Sequence, residues 1–253
     1  MERNNLITEK YRMTFDYHTH TVYSHHNHGK GTIEENVQAA IKAGLSELAI
    51  TDHGPGHRFY GVRREDFPVM RREIDRLRQV YPQLKLYLGV EANIVSAGSH
   101  LDVKKEDMQY FDFILGGYHY GIPGGYCIEN WLDAHRAAPR SWGRRLLIKN
   151  TDMAVKAVYE NDLRILTHPG DKGRFDIWEL AKACADTDTW MEISTWHSHL
   201  TTEEIRVCAR ADVKFVVSSD AHTPDRVGSF AGGVERALAA GLDIERIVNI
   251  EEC

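Results

Sequence analysis

Short apolar strands alternate with helices along almost the whole chain, and this alternation limits the fold more than any other feature of the sequence. Apolar runs bounded by glycine, proline or polar residues predict strands, and apolar residues three or four positions apart predict the helices between them. The alternation occurs about seven times, without an internal repeat, a low-complexity segment or a shift in composition. A helix between two strands returns the chain to its starting edge, so the strands run parallel. The sequence therefore predicts an α/β protein, built either as a closed barrel or as a doubly wound sheet.

The predicted elements follow from local signals. A first short strand begins near Thr14 and runs into a loop, and Thr32 with Glu35 has the spacing of a capping box at the first helix, which Gly44 ends. Further strands are predicted at residues 47–50, 84–90, 111–117, 163–168, 190–193 and 213–217, and helices at residues 33–43, 64–80, 144–160, 177–184, 202–210, 231–240 and 244–249. Residues 120–142, rich in glycine, proline and aromatic residues, are predicted to form a lid or specificity loop over the site.

Histidine and carboxylate side chains occur where predicted strands stop. Histidine is used often, with 14 residues among 253. The side chains at strand ends are His18 and His20, His53, Glu91, His119, His168, and Asp220 with His222. In an open sheet only strands beside a switch point bring their ends together, whereas all strand ends of a barrel converge on one axis. We therefore predict a TIM-barrel-like fold in a single domain of residues 1–253, with its core at about residues 14–250.

These residue types indicate a metal site. His18 and His20 are two residues apart, so they point to the same side of a strand and can chelate one ion. Imidazole and carboxylate ligands suit zinc, manganese or iron, and the lack of cysteine argues against a purely structural zinc site. Taken singly, His53 or Asp220 could cap a turn, and Glu91 could pair with an arginine. Their joint occurrence at strand ends favours a metal centre.

The motifs resemble those of the PHP (polymerase and histidinol phosphatase) phosphoesterases, and they occur in that family's order from about Asp16 to Gly228. The matching segments are His18-Thr19-His20, Thr51-Asp52-His53, Gly89-Val90-Glu91, Gly117-Tyr118-His119, Thr167-His168-Pro169 and Ser219-Asp220-Ala221-His222. The resemblance implies a distorted (β/α)7 barrel that binds two or three divalent metal ions. It also implies a stand-alone enzyme similar to the histidinol phosphatases.

The resemblance further implies a ligand set for each ion. The first ion would be held by His18, His20, Glu91 and Asp220. Glu91 would bridge to a second ion, whose other ligands would be His119 and His168. The ligands of a third ion would be His53, His222 and one histidine of the first loop.

The loop histidine can be assigned in two ways, because the first loop differs in length from that of relatives. Counting back four residues from Thr32 selects His28, whereas counting forward from His20 as in some relatives selects His26. The loop is longer here by a few residues, which favours His28. His25 is expected to be exposed or to lie behind the ligands.

Cations a few ångströms apart would lower the pKa of a water, so that hydroxide attacks the phosphorus, and would stabilise the leaving oxygen. The expected catalytic residues are Asp220, His222 and Glu91. The expected substrate-binding residues are Lys30, Arg174 and His197. These three lie in loops after predicted strands, where ordinary solvated side chains are the competing explanation. Asp52 is expected to orient His53 or a neighbouring ligand.

The favoured function is a metal-dependent phosphatase that hydrolyses a small phosphomonoester by attack of a metal-activated hydroxide, with histidinol phosphate as the first candidate. The alternative is a nucleotide phosphodiesterase or a 3'-5' exonuclease, which the formal net charge of −6 disfavours because it opposes binding to nucleic acid backbones. Amidohydrolases that cleave C–N bonds also begin with two histidines separated by one residue. An amidohydrolase site would leave His28, His53 and His222 without a role, which disfavours this alternative.

Composition also indicates the cellular compartment in which the protein works. No apolar run approaches the roughly 20 residues that span a bilayer, and residues 1–10 lack the apolar centre of a secretory signal. The four cysteines are far apart in sequence, which favours free thiols in a reducing compartment. We therefore expect a cytoplasmic enzyme with a small phosphorylated substrate, no membrane and no stable nucleic-acid complex. No oligomeric state is predicted.

Overall fold

Seven parallel strands form the central sheet, and helices surround it. The computed structural model describes residues 2–137 and 139–253. It describes the side chains of these ranges except those of residues 2–5 and 140. Residues 1 and 138, which belong to the segments 1–10 and 120–142 discussed above, lie outside the described residues. The strands are β1 (Tyr11–Met13), β2 (Phe15–Asp16), β3 (Glu47–Ile50), β4 (Lys85–Asn93), β5 (Phe113–Gly117), β6 (Leu163–Leu166), β7 (Trp190–Ser194), β8 (Phe215–Ser218) and β9 (Ile250–Glu252). The helices are α1 (Glu2–Lys10), α2 (Ile33–Lys42), α3 (Phe67–Val80), α4 (Cys127–Ala134), α5 (Arg140–Glu160), α6 (Ile177–Asp186), α7 (Thr202–Cys208) and α8 (Ala231–Ala240).

Strands β2 to β8 pair in chain order, and every pairing is parallel. An α-helix lies in each crossover except that between β4 and β5, where a 3-10 helix at Lys105–Tyr110 takes its place. The sheet curls into a nearly closed barrel, which confirms the predicted barrel of seven strands. No described helix has the length and apolar character needed to span a membrane.

The seam between β2 and β8 closes the barrel by two different contacts. At the C-terminal end, Thr19 and Ala221 form a parallel bridge, and the His20 N–H donates to the Ala221 carbonyl at 2.8 Å. At the other end, the buried Asn249 side chain accepts from the Val217 N–H at 3.0 Å. The same side chain donates to the carbonyls of Val217 at 2.7 Å and Phe15 at 2.8 Å. One amide therefore satisfies backbone groups of both edge strands.

The barrel interior has an apolar half and a polar half. Near the N-terminal ends of the strands, the rings of Phe15, Tyr17, Phe113 and Trp190 pack on one another with centroids 4.2 to 6.4 Å apart. This filled layer leaves no room there for a ligand, so the barrel is a packed core. The opposite, C-terminal ends of the strands carry the histidine and carboxylate residues, as in barrel enzymes generally.

The structure corrects the helix predicted at residues 244–249. Only Ile244–Arg246 is helical, as a 3-10 turn, and Ile247 then forms a parallel bridge with Phe215 of β8. β9 follows and pairs antiparallel with β1, with Met13 opposite Ile250. The apolar spacing resembled that of a helix, but pairing with strands distant in sequence determines the conformation.

The predicted loop at residues 120–142 is also corrected in part. Its glycines and one proline are confined to residues 121–125, and α4 begins directly after them, with Tyr126 at its N-cap in a left-handed conformation (φ 53°). α5 begins at Arg140 rather than near residue 144. The capping box of α2 is confirmed, since the Glu35 N–H donates to Thr32 Oγ1 at 3.2 Å and the Thr32 N–H donates to Glu35 at 2.6 Å.

Candidate metal centre

The predicted ligands converge at the C-terminal face of the barrel because each follows or ends a strand. Most of them are almost fully buried, at 5% exposure or less. The ligand-type residues that the structure brings together are His18, His20, His28, His53, Glu91, His119, His168, Asp220 and His222. Parallel strands of a closed barrel present their C-terminal ends around one axis, which gathers side chains that are up to 204 positions apart in the chain.

Four ligand atoms form one compact group. His18 Nε2 and His20 Nε2 are 3.1 Å apart, and they lie 3.6 and 3.2 Å from Asp220 Oδ1. The same two nitrogens lie 3.4 and 3.8 Å from Glu91 Oε2. Ligands placed tetrahedrally at the usual zinc–nitrogen length of about 2.0–2.1 Å stand about 3.3 Å apart. The geometry of this group therefore fits a divalent cation.

Glu91 connects this group to a second one. Its Oε1 lies 3.3 Å from His119 Nε2 and 2.9 Å from His168 Nε2, while Oε2 faces the first group. Oε1 also accepts a hydrogen bond from the Thr167 hydroxyl at 2.6 Å. A carboxylate whose two oxygens face different nitrogen pairs is suited to bridge two cations.

The remaining histidines form a third group that is more open. His28 Nε2 lies 3.0 Å from His222 Nε2, and the His28 ring centroid is 5.0 Å from that of His53. His53 is shared, since its Nδ1 is also 2.9 Å from Glu91 Oε2. His26 is exposed and His25 faces Asp66 at 3.6 Å, so the structure places His28 at the centre and leaves both other loop histidines outside it.

Charge balance within the cluster opposes the effect of burial on the acidic groups. Burial would raise the pKa of Glu91, but the imidazoles of His119 and His18 hold that pKa well below its ordinary value. Burial would also raise the pKa of Asp220, but His18, His197 and His20 together hold it well below its ordinary value. Burial would lower the pKa of His18, but Glu192 and Glu91 raise it well above 6.5. Both carboxylates are therefore ionised at neutral pH.

The imidazoles of His20, His28 and His53 are held in their neutral form. Burial lowers the pKa of His20 to about 3 and that of His28 to about 4, and the proximity of His222 adds to both shifts. Burial, followed by His20, also holds the pKa of His53 well below its ordinary value. Because a metal ion binds the lone pair of neutral imidazole, these environments favour metal binding over protonation.

Unpaired polar atoms point to the same conclusion. His119 Nε2, His53 Nε2 and Glu91 Oε2 are buried and make no hydrogen bond. A buried polar atom without a hydrogen-bond partner destabilises a protein by about 1–3 kcal/mol. Cations bound among these atoms remove that penalty, so the donor set fits divalent metal ions.

Glu192 forms hydrogen bonds with two of the proposed ligand residues, a role that the sequence analysis did not predict. It is fully buried in β7, where its Oε1 accepts from His18 Nδ1 at 2.6 Å and its Oε2 accepts from the backbone N–H of His168 at 2.7 Å. The first bond fixes the tautomer in which His18 Nε2 is free to bind a metal. The available signal was a single carboxylate within an otherwise apolar strand, which requires a buried partner.

Two further polar residues hold ligands or the first loop. Asn93 Oδ1 accepts from His119 Nδ1 at 2.8 Å, which leaves His119 Nε2 facing Glu91. Asp52 does not contact the His53 ring; it accepts hydrogen bonds from the backbone N–H and hydroxyl of both Thr21 and Ser24. Asp52 therefore fixes the loop that follows His20.

The three predicted substrate-binding residues have different surroundings. His197 lies at the centre, with Nε2 3.2 Å from Asp220 Oδ2 and Nδ1 3.1 Å from Asp171. The Lys30 N–H donates to the His222 carbonyl at 2.8 Å, but its side chain is exposed. Arg174 is paired with Asp133 of α4 at 2.5 Å rather than with any residue of the cluster, which does not support a role in substrate binding.

Comparisons with known proteins agree with this geometry. The family model described as the PHP domain matches residues 16–201. A probable phosphatase of Acetivibrio thermocellus is 26% identical, covering 87% of this chain and 83% of its own length, and a probable phosphatase of Proteus mirabilis is also 26% identical, covering 92% and 89%. The crystal structure of histidinol phosphate phosphatase from Lactococcus lactis, complexed with zinc, L-histidinol and phosphate, superposes with a TM-score of 0.59 at 15% identity, covering 91% of this chain and 95% of that one.

Proposed function

The chain belongs to the PHP domain family and is a phosphatase of that family, and from this premise we propose that it hydrolyses a small phosphomonoester at the metal centre. One observation carries the proposal: nine histidine and carboxylate residues from six strand ends and the first loop converge within three adjoining groups. The proposed cofactors are two or three divalent ions of zinc, manganese or iron.

The proposed ligand sets follow the three groups. The first ion would be held by His18, His20, Glu91 and Asp220. The second would be held by Glu91, His119 and His168. The third would be held by His28, His53 and His222. The distance of 3.0 Å between the Nε2 atoms of His28 and His222 supports His28 in this last set.

The reaction consumes one water, which adds to phosphorus while the P–O bond to the alcohol breaks, and the alkoxide takes up a proton to give the alcohol and inorganic phosphate. When bound, the cations supply the Lewis acidity that makes water nucleophilic near neutral pH and offsets charge on the phosphoryl oxygens. Glu91, Asp220 and His222 are the proposed catalytic residues, since their atoms face the reacting centre. His197, which lies beside Asp220 and is held by Asp171, is the proposed substrate contact.

Histidinol phosphate is the first candidate substrate, which would place the enzyme in histidine biosynthesis. The support is the shared barrel and the L-histidinol and phosphate bound to the Lactococcus lactis protein. We further propose a cytoplasmic enzyme of one domain that forms no stable complex with nucleic acid. The four separate free thiols and the net charge of −6 support these assignments.

Phosphate release by the purified protein tests the proposal. The protein is loaded with manganese or zinc and given a panel of monoesters that includes histidinol phosphate, together with a nucleotide diester and a labelled single strand. We expect release from monoesters, and a loss of at least about a thousandfold in kcat for the double substitution H18A/H20A. Activity confined to the diester or the strand, or no release from any monoester, would overturn the proposal.

A further inference from the structure

A cavity of about 600 Å³ lies beside the metal centre, between the loop after β3 and the segment that leads into α4. Arg58 and Phe59 form one wall, and Tyr120, Ile128 and Trp131 form the other. Its size falls within the range of pockets that bind small organic ligands, about 300–1,000 Å³. None of the residues that line it belongs to the three groups of metal ligands.

The walls of the cavity continue directly from residues of the metal centre. His53, Glu91 and His119, taken from two of these groups, also lie close enough together to bind a cation, and each lies at or near the end of its own strand. The cavity is lined by residues that follow these three along the chain: Arg58 and Phe59 after His53, Ser96 after Glu91, and Tyr120 and Gly121 after His119. The cavity therefore occupies the C-terminal face of the barrel on the same three strands as that group, which is where barrel enzymes bind substrates.

The two walls are held together close to the ligands. The Arg58 N–H donates to the Gly121 carbonyl at 3.4 Å, and Gly121 lies so close to the His57 ring that a Cβ there would stand 3.0 Å from Nε2. The His57 ring centroid is in turn 6.2 Å from that of His53 and 6.4 Å from that of His119. One layer of residues thus separates the cavity from two of the proposed ligands.

The surface of the cavity is apolar and aromatic, although it is open to water. Phe59 is 64% exposed, Ile128 is 74% exposed and Trp131 is 48% exposed. Large apolar side chains grouped around a concave surface mark a binding site more often than an accident of folding. Such a surface gains free energy by covering an apolar or aromatic group.

We propose that this cavity binds the organic part of the phosphomonoester, and that favoured substrates carry an aromatic or apolar body on a short chain from the phosphorylated oxygen. The inference rests on the proposed phosphatase function and adds the class of alcohol to it. The phosphoryl group lies at the metal centre, and the body of the alcohol extends over His57 and Tyr120 into the cavity. Histidinol, whose imidazole ring is separated from its oxygen by a short chain, is one alcohol of this shape.

Two esters with the same kind of leaving oxygen test the inference. Propyl phosphate and 3-phenylpropyl phosphate both release a primary alkoxide, so a difference in kcat/KM between them reports on the ring. We expect the metal-loaded protein to favour the phenyl ester by at least about tenfold, the effect of burying an apolar ring. We expect Ile128→Ser and Trp131→Ala to reduce that ratio several-fold, through a lower kcat/KM for the phenyl ester.

Ile148→Ser is the matched control, because Ile148 is 57% exposed on α5 and does not line the cavity. Binding of propylphosphonate and 3-phenylpropylphosphonate, measured by calorimetry, makes the same comparison without turnover. Equal affinity for the two phosphonates together with equal kcat/KM for the two esters would overturn the inference while leaving the phosphatase function intact. So would a loss of the preference for the phenyl ester in Ile148→Ser as large as that in the cavity variants. A preference among phosphonates without hydrolysis of any ester would support the cavity and overturn the proposed function.

Discussion

Glu192 joins two of the proposed metal ligands without facing the cations itself. Its carboxylate receives hydrogen bonds from the His18 ring and from the His168 backbone, so it orients one ligand by its tautomer and another by its main chain. His18 belongs to the first group described above and His168 to the second, and both face Glu91. One buried residue therefore positions parts of two proposed cation sites at once.

Replacing Glu192 by glutamine is expected to weaken metal binding by about 10- to 100-fold, because the amide is a weaker acceptor for the His18 N–H and carries no charge. Zinc affinity measured by competition with a chromophoric chelator checks the value. Glu203→Gln, on the exposed surface of α7, is the control and should leave affinity unchanged. Unchanged affinity in Glu192→Gln would show that the His18 tautomer is set by other means.

The pair of His199 and Glu204 predicts a pH dependence of stability. His199 Nδ1 donates to Glu204 at 2.9 Å; this bond raises the pKa of His199 above 6.5, and it helps to lower the pKa of Glu204 below 4.5 against the effect of burial. The raised histidine pKa stabilises the fold fully below pH 6.5, and this contribution is lost as pH rises through the folded pKa. The lowered glutamate pKa stabilises it above pH 4.5, and this contribution is lost in acid.

Urea unfolding of metal-free wild type and His199→Gln measures this dependence. The difference in free energy of unfolding is expected to be on the order of 1 kcal/mol between pH 4.5 and 6.5 and to shrink on both sides of that window. The double substitution H199Q/E204Q serves as the control, because it removes both partners and retains the Thr201 capping box through glutamine. A difference that is constant with pH would contradict the pairing.

Most of the proposed ligands were predictable from the sequence, since a residue at the end of a parallel strand is brought to the barrel axis by the topology alone. The supporting residues were not. Whether Glu192 or Asn93 contacts a ligand depends on which strand face it occupies and on which neighbour lies opposite. The role expected for Arg174 in substrate binding stays a prediction: its loop follows β6, but its side chain pairs with Asp133 on α4.

At the scale of elements, the seam between β2 and β8 depends on Asn249. We expect Asn249→Ala to lower the free energy of unfolding by roughly 2–4 kcal/mol, because buried backbone groups of Val217 and Phe15 lose their partner. Urea denaturation checks the value. Gln109→Ala, whose side-chain bond is exposed, should change stability by less than about 0.5 kcal/mol. A loss below about 1 kcal/mol for Asn249→Ala would mean that the seam is closed by the Thr19–Ala221 bridge alone.

Most of the barrel strands could be predicted because they are apolar runs bounded by polar or turn residues, and that pattern is local. The antiparallel pair of β1 and β9 could not, since each of these strands is three residues long and exists only through its partner. The same holds for Ile247, whose strand-like conformation comes from β8. The crossover from β4 to β5 lacks an α-helix, and no periodicity in its sequence predicted one there either.

At the scale of the whole molecule, removal of metal is expected to destabilise the barrel. Each ion contributes about 2.7 kcal/mol when its free concentration is a hundred times its dissociation constant. Chelation should therefore lower the melting temperature by roughly 5 °C or more per ion, and added zinc or manganese should restore it. Calorimetry before and after chelation provides the measurement. An unchanged melting temperature would contradict metal binding by the folded protein.

The pairing of β1 with β9 and the position of Asn249 also affect how the chain acquires its fold during synthesis. The ribosome delivers the strands of the barrel one after another, yet Asn249, which links β2 to β8 at their N-terminal end, emerges after all of them. Until Asn249 has left the exit tunnel, β2 and β8 lack the side chain that links them at that end. Nascent chains that stop before residue 249 should therefore be the ones that chaperones retain.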